Sequence, residues 1–160
     1  MGKIGLQFKA VLENVTDLQA FGEDFRWYLK LKCLNCGEEP EKWQYVALTE
    51  KFPLKGGRGE ANFVSKCKLC ARENSVEILL DTIKKYTIDD SESFKTIVVF
   101  DCRGLEPTDF SPRVGFQAIG ENSNALFDDI NLEEKEWVDY DEKANLSVSI
   151  AEVEHKFVKV

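Results

Sequence analysis

The chain has 160 residues, a formal charge of −8, and 43% hydrophobic and 31% charged residues. That length holds one ordinary domain or two small ones closely fused, and the balance is that of a soluble globular chain rather than a disordered one. The acidic excess argues against nucleic acid, which is bound through a basic face, and no run approaches the roughly 18 apolar residues of a membrane-spanning helix.

Alternation of apolar and polar residues dominates from the start. Ile4, Leu6, Phe8 and Ala10 fall on one face of a strand over 4–12, a mixed stretch that does not read as a signal peptide. Turn signals at Asn14–Asp17 and Phe21–Asp24 come next, then an aromatic-rich strand over 25–31. Further strands are expected over 43–48, 61–66 and 75–80, and 76–86 also admits a helix. The β-branched run 94–100 reads as a buried strand. Turns at Glu106-Pro107 and Ser111-Pro112 precede strands over 113–119, 146–153 and 157–160. Short strands at this spacing predict an all-β fold with antiparallel, sandwich-like sheets and little helix.

The chain contains five cysteines. Four form two Cys-x-x-Cys pairs, Cys33/Cys36 and Cys67/Cys70, and Cys102 stands apart. An odd count without a leader points to a reducing, intracellular compartment, most simply the cytoplasm. A Cys-x-x-Cys turn presents two sulfurs as neighbouring corners of a tetrahedron, and two such turns complete a closed four-cysteine site for Zn2+. Gly37 permits the positive φ that such a turn uses, whereas Ala71 predicts a less regular second turn. The long gap between the pairs is expected to fold as one hairpin, out along 43–48 and back along 61–66. Lys32, Lys66, Lys68 and Arg72 form a cationic collar suited to thiolates, or ordinary exposed strand residues. A closed site is structural rather than catalytic. Iron would use the same ligands. A thioredoxin-like redox pair needs one motif at a helix N-terminus, and here both pairs end strands.

Other features read more plainly. Cys102 is expected to be a core thiol, and His155 a surface or edge residue without a nucleophile beside it. Trp27, Trp43, Trp137, Phe25, Tyr28 and Tyr45 are expected in the core. The segment 54–59 reads as a glycine-rich hairpin end with no phosphate-loop ending. The acidic stretch 121–142 reads as a solvated loop. A weak internal echo sets the end of the first strand, Glu13-Asn14, beside Asp101-Cys102, sets Trp43 beside Trp137, and sets 66–70 beside 145–149. It suggests two pseudo-symmetric halves, a zinc-bearing 1–88 and a metal-free 89–160 packed against it, the second with metal replaced by ordinary packing.

At these residues the chain resembles the eukaryotic CXXC-motif-containing zinc-binding protein family. The segments that carry the resemblance are GEDFRWYLKLKC at 22–33, LKGGRG at 54–59, KCKLCAREN at 66–74, CRGLEPTDF at 102–110 and DYDEKA at 139–144. The resemblance spans nearly the whole chain. It implies zinc at Cys33, Cys36, Cys67 and Cys70, an all-β fold with two related halves, and no established enzymatic activity. The expected function is a monomeric, non-enzymatic zinc-binding module whose partner is another protein, with thiolate-based metal handling or redox chemistry as the alternative.

Overall fold

A computed structural model describes residues 2–55 and 59–160. Gly56, Gly57 and Arg58 of the glycine-rich segment lie outside the described residues. The fold is all-β. Among the described residues fourteen strands run β1 (Gly2–Glu13), β2 (Val15–Ala20), β3 (Trp27–Cys33), β4 (Gln44–Val46), β5 (Phe52–Pro53), β6 (Glu60–Ala61), β7 (Phe63–Lys66), β8 (Glu73–Ile78), β9 (Lys95–Arg103), β10 (Leu105–Ser111), β11 (Phe116–Gly120), β12 (Leu126–Ile130), β13 (Trp137–Asp141) and β14 (Leu146–Lys159). Where 76–86 admitted a helix, only a 3-10 turn over Leu80–Thr82 forms, after β8 has ended.

The alternation in β1 and β3 explains their placement. β3 buries Trp27, Leu29, Leu31 and Cys33 and turns Tyr28, Lys30 and Lys32 outward. A six-stranded antiparallel sheet, ordered β13-β14-β1-β9-β8-β7, faces two three-stranded sheets, β10-β3-β4 and β12-β11-β2. Phe25 and Trp27 join all three. Phe25 meets Trp27 edge-on at 4.7 Å and Phe116 of the β11 sheet at 5.0 Å, while Trp27 meets Phe100 of the large sheet at 6.0 Å. Such aromatic pairs add to the burial of their area. Tyr28, Trp43 and Tyr45, expected inside, lie half-buried on the outer face of the β3 sheet, where Arg113 covers Tyr28 at 4.0 Å and Arg26 covers Tyr45 at 4.4 Å. Trp137 is half-buried against Phe127.

The strand order is two-fold symmetric about the β1/β9 pair. The β7-β8 hairpin lies outside β9 as the β13-β14 hairpin lies outside β1. β10 joins the sheet of β3 and β4, and β2 joins the sheet of β11 and β12. The short β5/β6 pair has no counterpart among the described residues. The boundary at 88/89 falls in the connection between β8 and β9, and both flanking segments contribute strands to every larger sheet. At the first corner of each half one residue takes a left-handed conformation, Asn14 at φ 60° and Gly104 at φ 77°. The echo at this corner is therefore real but runs through Arg103-Gly104, two residues beyond the expected place.

Four segments expected as turn or loop are strands, for identifiable reasons. The corner at Asn14 uses a single residue, so Val15 and Leu18 enter the core at once. Pro107 is accommodated on an edge strand, beside a register shift between Pro107 and Asp109. β12 and β13 are edge strands, and acidic side chains on an edge oppose pairing with other chains. The expected hairpin between 43–48 and 61–66 does not form. β4 pairs with β3, β7 pairs with β8, and a separate small hairpin joins β5 to β6.

Tyr86, 1% exposed, pins the connection between β8 and β9. Its one hydroxyl proton is shared between the carbonyl oxygens of Asp90 and Ser93, each 2.6 Å away, and its oxygen accepts the Ala10 amide at 3.2 Å. Tyr86→Phe strips these groups of their buried partner and is expected to destabilise the fold by about 1–3 kcal/mol. Urea unfolding of the two proteins measures the difference.

Candidate metal centre

The site is built from the ends of β3 and β7. After Cys33 the chain reverses. The Gly37 amide donates to the Cys33 carbonyl at 2.8 Å and the Cys33 amide to the Glu38 carbonyl at 2.8 Å, with Gly37 at φ 82°. The second turn repeats this geometry. The Ala71 amide donates to the Cys67 carbonyl at 2.8 Å and the Cys67 amide to the Arg72 carbonyl at 2.9 Å. The irregularity expected at Ala71 is absent, because Ala71 takes the left-handed conformation at φ 63°. For a residue with a Cβ that conformation costs about 1–2 kcal/mol.

The structure brings all four expected sulfurs together, within 4.8 Å of one another. Cys33 and Cys70 sulfurs are 3.7 Å apart, and those of Cys36 and Cys67 are 3.5 Å apart. A tetrahedral zinc site with Zn–S bonds near 2.3 Å has S–S edges of about 3.8 Å. The donor set and its spacing therefore fit zinc, and all five cysteines are free thiols.

Neighbouring groups prepare the sulfurs unequally. The Asn35 side chain, then the Arg72 amide, lower the Cys70 thiol. Cys36 moves up to about 12. The Glu38 amide opposes this rise, and burial together with the Cys67, Cys70 and Cys33 sulfurs outweighs it. Asn74, 4% exposed, has two exclusive roles. Turned toward Cys33, its amide nitrogen holds that thiol down at about 6, helped by the Cys36 amide. Turned away, the nitrogen donates to the carbonyls of Gly104 at 3.1 Å and Glu73 at 3.2 Å. A thiolate charge favours the first orientation. Arg72 spans the two turns by donating from Nη1 to Asn35 Oδ1 at 3.0 Å. Reading the cysteines alone missed Asn35 and Asn74. Both carry a signal in retrospect, being amides within a few residues of a ligand and able to donate to sulfur.

The second half carries the same two turns without cysteine. The Asn124 amide donates to the Gly120 carbonyl at 2.9 Å and the Gly120 amide to the Ala125 carbonyl at 2.8 Å, with Asn124 at φ 59°. The Asn145 amide donates to the Asp141 carbonyl at 2.7 Å, with Asn145 at φ 60°. Gly120 and Ser123 thus stand at the places of Cys33 and Cys36, and Asp141 and Ala144 at those of Cys67 and Cys70. The expected alignment of 66–70 with 145–149 is five residues out. Replacement by ordinary packing is also corrected, because a polar staple takes the metal's place. Ser123 Oγ donates to Asp141 Oδ2, and the Lys143 and Ala144 amides each lie 3.1 Å from Oδ1. A Cβ at Gly120 would collide with Asp141 Oδ2. The expected match of Trp43 with Trp137 fails, since Trp43 precedes β4 and Trp137 opens β13.

The remaining candidates stay outside the site. Cys102 is 2% exposed, and burial pushes its thiol up to about 12, as a core thiol requires. His155 is less exposed than expected. It lies edge-on to Phe110 and Phe157, with Nε2 3.1 Å from Asp109 Oδ1. Burial lowers its pKa, and Asp109 opposes that shift. No helix among the described residues is long and apolar enough to cross a membrane.

Fold and site together define an all-β protein with paired cysteine turns that preform a four-sulfur metal centre. Residues 5–158 match the family described as CXXC motif containing zinc binding protein, eukaryotic. Proteins of that name from rat and human are each 65% identical over 159 residues, covering 99% of both chains. A Drosophila melanogaster relative, UPF0587 protein CG4646, is 46% identical over 161 residues, covering 100% of this chain and 99% of its own. The crystal structure of C1orf123 superposes with a TM-score of 0.97 at 64% identity, covering 99% of this chain and 100% of that one. A hypothetical Plasmodium falciparum protein, 24% identical, shares the fold at a TM-score of 0.89 over 99% of this chain and 100% of its own. The chain belongs to the CXXC motif containing zinc binding protein family of eukaryotes.

Asp141 is 1% exposed, and the Ser123 hydroxyl, then the Ala144 and Lys143 amides, hold its carboxyl below the usual range despite desolvation. A depressed folded pKa contributes stability above the unfolded value, near 3.9, and that stability is lost as pH falls through the folded value. Asp141→Asn is expected to lower the melting temperature at pH 7 by several degrees without changing zinc content. The gap between variant and wild type is expected to narrow below about pH 4. Thermal scans across pH check both.

Proposed function

We propose that this chain is a non-enzymatic, intracellular zinc-binding module in which Cys33, Cys36, Cys67 and Cys70 hold one Zn2+. The observation that carries the reading is the convergence of four sulfurs from the ends of β3 and β7 at tetrahedral spacing. Bound zinc supplies a cross-link, and with every corner taken by protein sulfur no position is left for water or substrate. The chain's residues do the rest. The turn amides and Asn35 and Asn74 stabilise thiolate charge, and Arg72 braces one turn against the other. Five free thiols support a reducing, cytoplasmic setting. The cross-link fixes the surface around the site, and we infer that this surface serves a partner protein.

One observation favours thiolate-based metal handling as a second reading: Cys36 is exposed, so a competing thiol could reach its sulfur. Slow zinc loss to a weak chelator, accompanied by unfolding, supports the staple. Rapid loss from a protein that stays folded supports exchange.

Structural zinc contributes on the order of 10 kcal/mol in finger peptides, comparable with the whole stability of a small domain. Cys67→Ser is expected to lose zinc and to lower the melting temperature. Unchanged metal content and an unchanged melting temperature contradict the proposal. The interaction reading is tested by affinity capture from cells with wild type and with a variant carrying serine at all four positions. Capture of the same partner by both contradicts it.

A further inference from the structure

Beside the metal centre lies a cavity of about 450 Å3, within the range of sites that accept a ligand or a bulky side chain. Its floor is apolar, with Leu31 and Leu105 buried and Phe63 half-buried. Its rim carries Lys32, Lys42, Lys66 and Lys68 against a single lining carboxylate, Glu38. That balance reverses the −8 of the chain as a whole. None of the four lysines has an ion-pair partner among the described residues. Two walls come from the cysteine turns themselves, Cys33 and Glu38 on one side and Cys67 and Lys68 on the other. At the tips of these turns Leu34 and Leu69 are 51% and 71% exposed.

We propose that this cavity is the docking site for an acidic segment of a partner protein that carries a bulky apolar side chain. The apolar group enters between Leu31, Phe63 and Leu105, and flanking carboxylates meet the four lysines. Unpaired cations around an apolar floor are complementary to that chemistry. Zinc governs the site because it sets the distance between the two walls. A nucleic acid would share the attraction to the lysines but would meet the long-range repulsion of an acidic chain. The proposal rests on the interaction reading above and names the chemistry of the partner.

The test uses zinc-loaded, full-length protein and fluorescence anisotropy. One labelled peptide is rich in Asp and Glu around a central Leu-Phe. The controls are the same peptide with Ser-Ser at the centre, a Lys/Arg counterpart, and a short oligouridine. The Leu-Phe acidic peptide is expected to bind, and the Ser-Ser version about tenfold more weakly or worse. Lys42→Glu combined with Lys68→Glu replaces two exposed side chains. Zinc content and melting temperature confirm that this variant is folded. It is expected to weaken binding by about tenfold or more. Lys143→Glu combined with Lys156→Glu, which makes the same charge change outside the cavity, is expected to leave binding unaltered. No binding, equal binding of the Ser-Ser peptide, indifference to the cavity variant, or preference for the basic peptide or the oligouridine overturns the proposal. Adding the cavity variant to the cellular capture separates the two failures. A zinc-dependent partner held equally by that variant refutes the cavity and leaves the module. The absence of any zinc-dependent partner refutes the module itself.

Discussion

Four sulfurs at the ends of two strands cannot approach within 4.8 Å unless the backbone brings them there. Thiolates repel one another, so without a cation the arrangement stands against its own charge, and only the surrounding amides and side chains soften it. The rest of the structure follows from meeting that constraint. β3 belongs to one sheet and β7 to another. The cysteine turns therefore join two layers that strand pairing leaves separate. A metal there ties layer to layer at the rim, as Phe25 and Trp27 do in the interior.

The two-fold arrangement shows that the turn geometry does not itself require metal. At 120–125 and 141–146 the same backbone reversals persist with no cysteine, and a buried carboxylate accepts from a hydroxyl and two amides. Zinc satisfies electron-rich sulfurs with a central cation, and Asp141 satisfies proton donors with a central anion. Gly120 is part of this solution, because any side chain there would strike the carboxylate. One frame thus supports opposite electrostatics at its two ends.

How much of this is legible in the sequence depends on the range of the signal. The cysteine spacing is local chemistry, and it identified the four sulfurs that meet. Alternation is also local, so β1, β3 and β9 are readable within a few residues. Pairing is not local. Nothing in 43–66 distinguishes a single hairpin from two strands that pair elsewhere, as β4 does with β3 and β7 with β8. β10 is hidden by Pro107, whose register shift is visible only once its partner is known. β12 and β13 are hidden by the acids that protect an edge. The Asp141 staple could not be read because Gly-x-x-Ser and Asp-x-x-Ala resemble no ligand pattern until the backbone places them opposite each other.

The central claim is that Cys33, Cys36, Cys67 and Cys70 enclose a single zinc ion. Zinc-edge X-ray absorption on protein purified under reducing conditions, with metal quantified in the same sample, tests it most directly. The account predicts one zinc per chain surrounded by four sulfurs at about 2.3 Å. A first shell containing nitrogen or oxygen in place of sulfur, or a folded protein without metal, would contradict it.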